Sequence, residues 1–160
     1  MSALVLTLAL VAGGTDSLAK VSIDKLSFKA PTQWTASSDD ASTKSWASPD
    51  GAADFSVSAF PVDPVRPADA CVNEMLEKLG KEGFEKTKLG GQSAQKKVTT
   101  DYVGEGEDAG RSDENKVTTT TVIGCNGKVR WVMTWSARAN QATRFGPMLK
   151  RVLDSITYGK

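Results

Sequence analysis

The residues with chemistry to offer are two cysteines, four tryptophans and a run of carboxylates between positions 104 and 115. There is no histidine, which removes the commonest general base near neutral pH and the commonest metal ligand. The spacing Gly104-x-Gly106-x-x-x-Gly110 mimics a dinucleotide loop. Its last interval is one residue too long, and its acids would repel phosphate. The same stretch holds Glu105, Glu107, Asp108, Asp113 and Glu114. They lack the fixed spacing and turn glycine of an EF-hand, so a solvated acidic loop is expected there rather than a calcium site. Ser17-Leu18-Ala19-Lys20 matches S-x-x-K of penicillin-recognising enzymes, but the chain has no S-D-N or K-T-G companion. Cys71 and Cys125 without further ligands do not make a zinc site. The expectation is a protein with no catalytic residue, no metal and no cofactor.

The cysteines are better read through the elements that carry them. Asn126-Gly127 predicts a two-residue turn between strands at 117–124 and 128–138. That pairing sets 125 opposite 128 and 124 opposite 129, with side chains alternating between faces. One face then carries Thr118, Thr120 and Val122 with Trp131, Met133 and Trp135. The other carries Thr119, Thr121 and Ile123 with Arg130, Val132 and Thr134. Both faces want a cover, and the tryptophan face wants the better seal. The tryptophans therefore read as core, since the flanking Arg130 and Arg138 fall on the opposite face from any base or sugar stacked on them.

A helix is expected at 68–81, led by Pro67, with Cys71, Val72, Met75, Leu76 and Leu79 as one apolar stripe. Cys125 lies by parity on the Ile123 face. If the helix covers that face near the turn, the two sulfurs can meet. The bond would close a loop of roughly 55 residues and stabilise by about 4 kcal/mol in the chain-entropy model. The alternative is two unrelated thiols, one buried and one exposed.

Other elements follow from pattern. Residues 21–34 read as a strand pair or one bent strand with Ile23, Leu26 and Phe28 inward, ending at Pro31. Residues 37–44 are a polar loop, and 45–47 a short strand carrying Trp46. Residues 53–62 alternate strictly, with Phe55, Val57 and Ala59 opposed to Ser56 and Ser58. A strand at 92–103 runs through Ala94, Val98 and Tyr102, and the acidic loop 104–115 follows it. A closing helix at 141–156, capped by Asn140, presents Phe145, Met148, Leu149, Val152, Leu153 and Ile156, with Gly146-Pro147 splitting off its first turn.

At 160 residues and net charge +1, one domain is expected, and no basic field argues for nucleic acid. Residues 1–14 read as a signal-like segment and 15–20 as a linker, leaving a domain over 21–158. The apolar run at 3–12 is too short to span a bilayer, which takes about 20 residues. It suits a secretory h-region, although no Lys or Arg precedes it. The competing reading is a buried first strand. Gly14 stands where a lipoprotein box has its lipidated cysteine, so no lipid can attach there. An exported chain and a disulfide agree with each other.

Two short motifs point to a family. Phe28, Pro31 and Trp34 form an F-x-x-P-x-x-W opening, and Val152, Ser155 and Ile156 a closing hydrophobic-x-x-S-I. With the order of elements between them, the chain resembles the PsbP-like (Mog/PsbP) superfamily over most of its length after residue 20. The resemblance implies an α+β domain: an α/β/α sandwich with a central antiparallel sheet and helices on both faces. It implies a non-enzymatic binding, assembly or adaptor protein of the bacterial cell envelope, periplasmic or extracellular. The partner expected is another protein of the envelope or a secretion system, with no nucleic acid and no stable membrane insertion. The candidate contact residues are Glu105, Glu107, Asp108, Asp113 and Glu114, with Trp46 at an exposed edge. The second reading is a small-ligand carrier or minor hydrolase with an apolar pocket near Trp131. A flat, partly apolar patch favours the first and a deep pocket with converging carboxylates the second.

Overall fold

The computed structural model describes residues 17–38, 40–89, 92–103 and 114–159. The signal-like segment 1–14 lies outside them. Ten strands and two helices form an α+β domain among the described residues: β1 (Leu18–Ile23), β2 (Leu26–Pro31), β3 (Thr35–Ser38), β4 (Thr43–Ala47), β5 (Ala53–Pro61), α1 (Ala68–Leu79), β6 (Glu85–Leu89), β7 (Gln92–Tyr102), β8 (Lys116–Cys125), β9 (Val129–Arg138), α2 (Ala142–Asp154) and β10 (Thr157–Tyr158). The linker expected at 15–20 is corrected from Leu18 onward, where the chain is already the first strand.

The strands make two antiparallel sheets, a large one in the order β3-β4-β5-β9-β8-β7-β6 and a small one in the order β1-β2-β10. Alternation in the sequence decides which side chains enter the core. On β5, Ala53, Phe55, Val57 and Ala59 are buried while Asp54 and Phe60 are exposed. The buried set joins Trp131, Met133 and Trp135 of β9 and Val122 of β8 in one cluster. The small sheet and α2 cover it, through Ile23, Leu26, Phe28, Phe145, Met148, Val152 and Leu153. Helix α1 takes the opposite face, so the large sheet has helices on both sides.

Burying each large apolar side chain in this core is worth about 1.5–3 kcal/mol. Aromatic contacts add geometry. Trp46 stacks on Phe55 at 4.7 Å and Phe55 on Trp135 at 5.3 Å, while Trp34 meets Phe145 edge-on at 5.7 Å. The closing motif has a physical role as well. The Ser155 hydroxyl donates to the Val152 carbonyl at 2.6 Å and accepts the Lys29 N–H at 2.8 Å, tying the end of α2 to β2.

The hairpin differs from expectation in register but not in faces. Cys125 pairs with Arg130 and Gly124 with Trp131, two residues along from the expected partners. The turn is centred on Gly127-Lys128, because the Asn126 side-chain oxygen accepts the N–H of Lys128 at 2.9 Å and of Val129 at 2.8 Å. A slip of two preserves parity, whereas a slip of one would have exchanged core and solvent faces. Gly124 is required here. A Cβ at that position would lie 2.6 Å from the Trp131 indole.

Helix α2 is also reframed. It is led in by a 3-10 turn at Ala139–Gln141, its N-cap is Gln141 without a side-chain bond, and it runs unbroken through Pro147. Asn140 is therefore not the cap.

Candidate functional site

The position of α1 shapes the accessible face of the large sheet. Its buried stripe Cys71, Val72, Met75 and Leu76 packs on Ile123 and Cys125, with Val132 against their edge. Cys71 and Cys125 are joined, with Cα atoms 6.2 Å apart, so the start of the helix is fixed to the tip of the β8–β9 hairpin. The tip is held from below too. The Val62 N–H donates to the Lys128 carbonyl at 2.8 Å and the Arg66 N–H to the Gly127 carbonyl at 3.2 Å. Away from α1 the same face carries half-buried hydroxyls, Ser56, Ser58, Thr134, Ser136, Thr119 and Thr121. They satisfy one another in part, as in the 3.1 Å bond between Thr119 and Ser136.

Between α1 and this hydroxyl-bearing area runs an open apolar groove of about 220 Å³. Phe60 of β5 and Leu79 of α1 are its two walls, 37% and 48% exposed. Met75 and Val132 lie between them, and Lys78 and Arg130 stand on the rim. Behind the rim, Glu74 holds three cations. Lys78 bonds it at 2.7 Å, Arg66 bonds its other oxygen, and Arg130 approaches to 3.5 Å. The hydrogen bond and charge of Lys78, then the charge of Arg66, hold the Glu74 carboxyl below its usual range. Three cations about one carboxylate leave the rim cationic.

The residues singled out from sequence are scattered over the fold. Cys71 and Cys125 come together, but Glu105, Glu107, Asp108 and Asp113 lie outside the described residues. Glu114 is exposed just ahead of β8, at the end of that strand opposite the disulfide. Trp46 is a correction. It is 6% exposed, because it sits on the inward face of β4 between Phe28 and Phe55. Leu79, read as part of the buried stripe, is exposed. The apolar pocket expected near Trp131 is also corrected. Its space is about 10 Å³, room for at most one water, where ligand pockets run to hundreds. The Trp131 indole N–H donates to the Tyr158 hydroxyl at 2.8 Å and closes that site. Among the described residues no three metal-ligating side chains gather, and no helix is long and apolar enough to cross a membrane.

Phe60 went unrecognised in the sequence, yet a signal was present. It follows the Asp54, Ser56, Ser58 parity, so it is a large apolar residue on the wet face of its strand.

No protein-family model matches the chain, and no curated protein sequence does. Solved structures do. A protein of Bacteroides thetaiotaomicron VPI-5482 superimposes with a TM-score of 0.67 at 14% identity over 92% of this chain, which spans half the length of that one. Cyanobacterial PsbP (CyanoP) from Synechocystis sp. PCC 6803 gives 0.59 at 14% identity, covering 95% of this chain and 97% of its own. The Ran-binding protein Mog1p of Saccharomyces cerevisiae gives 0.54 at 10% identity, covering 90% and 96%. At these identities the likeness is one of fold, the fold shared by Mog1 and PsbP.

Proposed function

We propose that this chain of the Mog1/PsbP fold works by binding another protein, as an exported, non-enzymatic adaptor or assembly factor, and that the groove between α1 and β5 is its contact surface. The observation that carries the reading is the pair Phe60 and Leu79. Two large apolar side chains stand exposed on either side of an open groove with a charged rim. Exposed apolar area rimmed by polar residues is the usual mark of a protein contact. Mog1p, which shares the fold, is a Ran-binding protein, and that agrees with a binding role. The disulfide supports a location in the periplasm or outside the cell, where such bonds persist. The acidic stretch from Glu105 to Glu114 is kept as a second contact in the proposal, steering a basic region of the same partner.

The test is affinity capture from the native envelope with three forms of the chain: unaltered, Phe60→Ser with Leu79→Ser, and one lacking residues 104–115. A partner retained by the first and lost by the second supports the groove. Loss with the third assigns the acidic loop a share. A partner retained equally by all three removes both surfaces from the proposal.

A further inference from the structure

The other flank of α1 borders a second depression. Because the stripe of α1 is spent on β8 and Val132, the outer strands β6 and β7 are left uncovered on that side. The result is an open trough of about 650 Å³ between the helix and the β6–β7 hairpin. Asp69 and Asn73 of α1 form one wall, and Lys86, Lys88 and Gln95 the other. The disulfide at Cys71 ties the helix wall to the tip of the β8–β9 hairpin.

Two further features describe what would fit there. First, β6 is the last strand of the large sheet and has no neighbour on its outer side among the described residues. It pairs with β7 from Glu85 opposite Lys96 to Leu89 opposite Gln92. In an antiparallel pair, alternate backbone groups face away from the partner, so half of those on β6 point outward and remain unpaired. Second, the trough carries surplus positive charge. Lys86 and Lys88, two residues apart, share a face. Lys97 stands on the same face, its ammonium 5.7 Å from the Phe84 ring. Among the described residues, no carboxylate lies within ion-pair reach of Lys86, Lys88 or Lys97. The acids of α1 that face other ways, Glu74 and Glu77, are already engaged by Arg66, Lys78, Arg130 and Lys81.

Lysines on an edge strand deter unwanted pairing. That role alone calls for no trough beside them. We propose that the free edge of β6 and the trough together take an extended acidic segment of a partner protein. The segment adds a strand to β6, and its alternate Glu or Asp side chains reach Lys86 and Lys88. Main-chain bonds give the affinity and the two ammonium groups give the selection. This site is separate from the apolar groove and does not depend on it.

The test uses the isotope-labelled full chain, titrated with a capped peptide alternating threonine and glutamate and followed by amide chemical shifts. The proposal expects shifts confined to Glu85–Leu89, the facing part of β7, and Asp69 and Asn73. It expects K86E/K88E, two exposed positions, to weaken binding by about tenfold or more while the remaining spectrum stays unchanged. A peptide of the same sequence with every backbone amide N-methylated cannot supply the strand bonds and should not bind. Phe60→Ser with Leu79→Ser should bind the peptide as the unaltered chain does. Four results would each overturn the proposal: no shifts on β6, equal binding of the N-methylated peptide, the same shifts with free glutamate, or unaltered affinity in K86E/K88E.

Discussion

Single residues decide several close fits in this molecule. Gly124 lies under the Trp131 indole, and a methyl group there would meet ring atoms at 2.6 Å. Gly124→Ala should therefore cost about 1–3 kcal/mol by overpacking, read as a lower midpoint in denaturant unfolding. Asp50 makes a different kind of link. It accepts from the Ser48 hydroxyl at 2.7 Å and from Arg144 of α2. The Ser48 bond, then Arg144, lower its carboxyl from 3.8 to about 2. A depressed carboxylate stabilises the fold at pH above its unfolded value and loses that contribution as pH falls through the folded one. Asp50→Asn should thus be less stable than the unaltered chain well above pH 3.8, with the gap closing as pH approaches about 2. The pair is solvent-exposed, so the gap should be below about 1 kcal/mol. A gap that does not change with pH would show that the charge is not what matters at this position.

At the scale of elements, the disulfide is a strong constraint on the face that carries α1. Replacing both Cys71 and Cys125 with Ala should lower unfolding free energy by about 4 kcal/mol and loosen α1 over β8. Thiol titration of the unfolded, unreduced chain should find no free sulfur; two thiols would contradict the bond. Phe60→Ser with Leu79→Ser should lower stability by about 1–3 kcal/mol, since at 37% and 48% exposure each side chain still keeps about half of its apolar surface out of water. What could be read in advance follows from burial. The strict alternation of β5 and the Asn-Gly signal gave β5, β8 and β9 with their faces, because one buried side imposes a period of two. The apolar stripes gave α1 and α2. The strands β3, β6 and β10 were missed because TASS, EKTKL and TY carry almost no apolar alternation. Such edge strands are defined by their neighbours rather than by their own pattern. Trp46 was misplaced for a related reason: β4 is too short for its parity to be judged without Phe55 opposite.

For the whole molecule, the layers were legible in the sequence but the proposed contact surface was not. The motif residues Phe28, Pro31, Trp34, Val152 and Ser155 are structural. They close the small sheet and α2 over the tryptophan face, and that face has no room for a ligand near Trp131. The opposite face is different. There one pinned helix leaves an apolar groove on one flank and a basic trough with a free strand edge on the other. Only the three-dimensional meeting of Phe60 with Leu79, residues on a strand and a helix, reveals the groove. The proposed partner contact lies on this face, and site-specific photo-crosslinking probes it. A photoreactive phenylalanine placed in turn at Phe60, Leu79 and Val98 should, in the native compartment, form a covalent adduct with one and the same protein from Phe60 and Leu79. Val98, exposed on the other face of the sheet, should give none. Adducts from Val98 with none from Phe60 or Leu79 would put the contact on the tryptophan face instead.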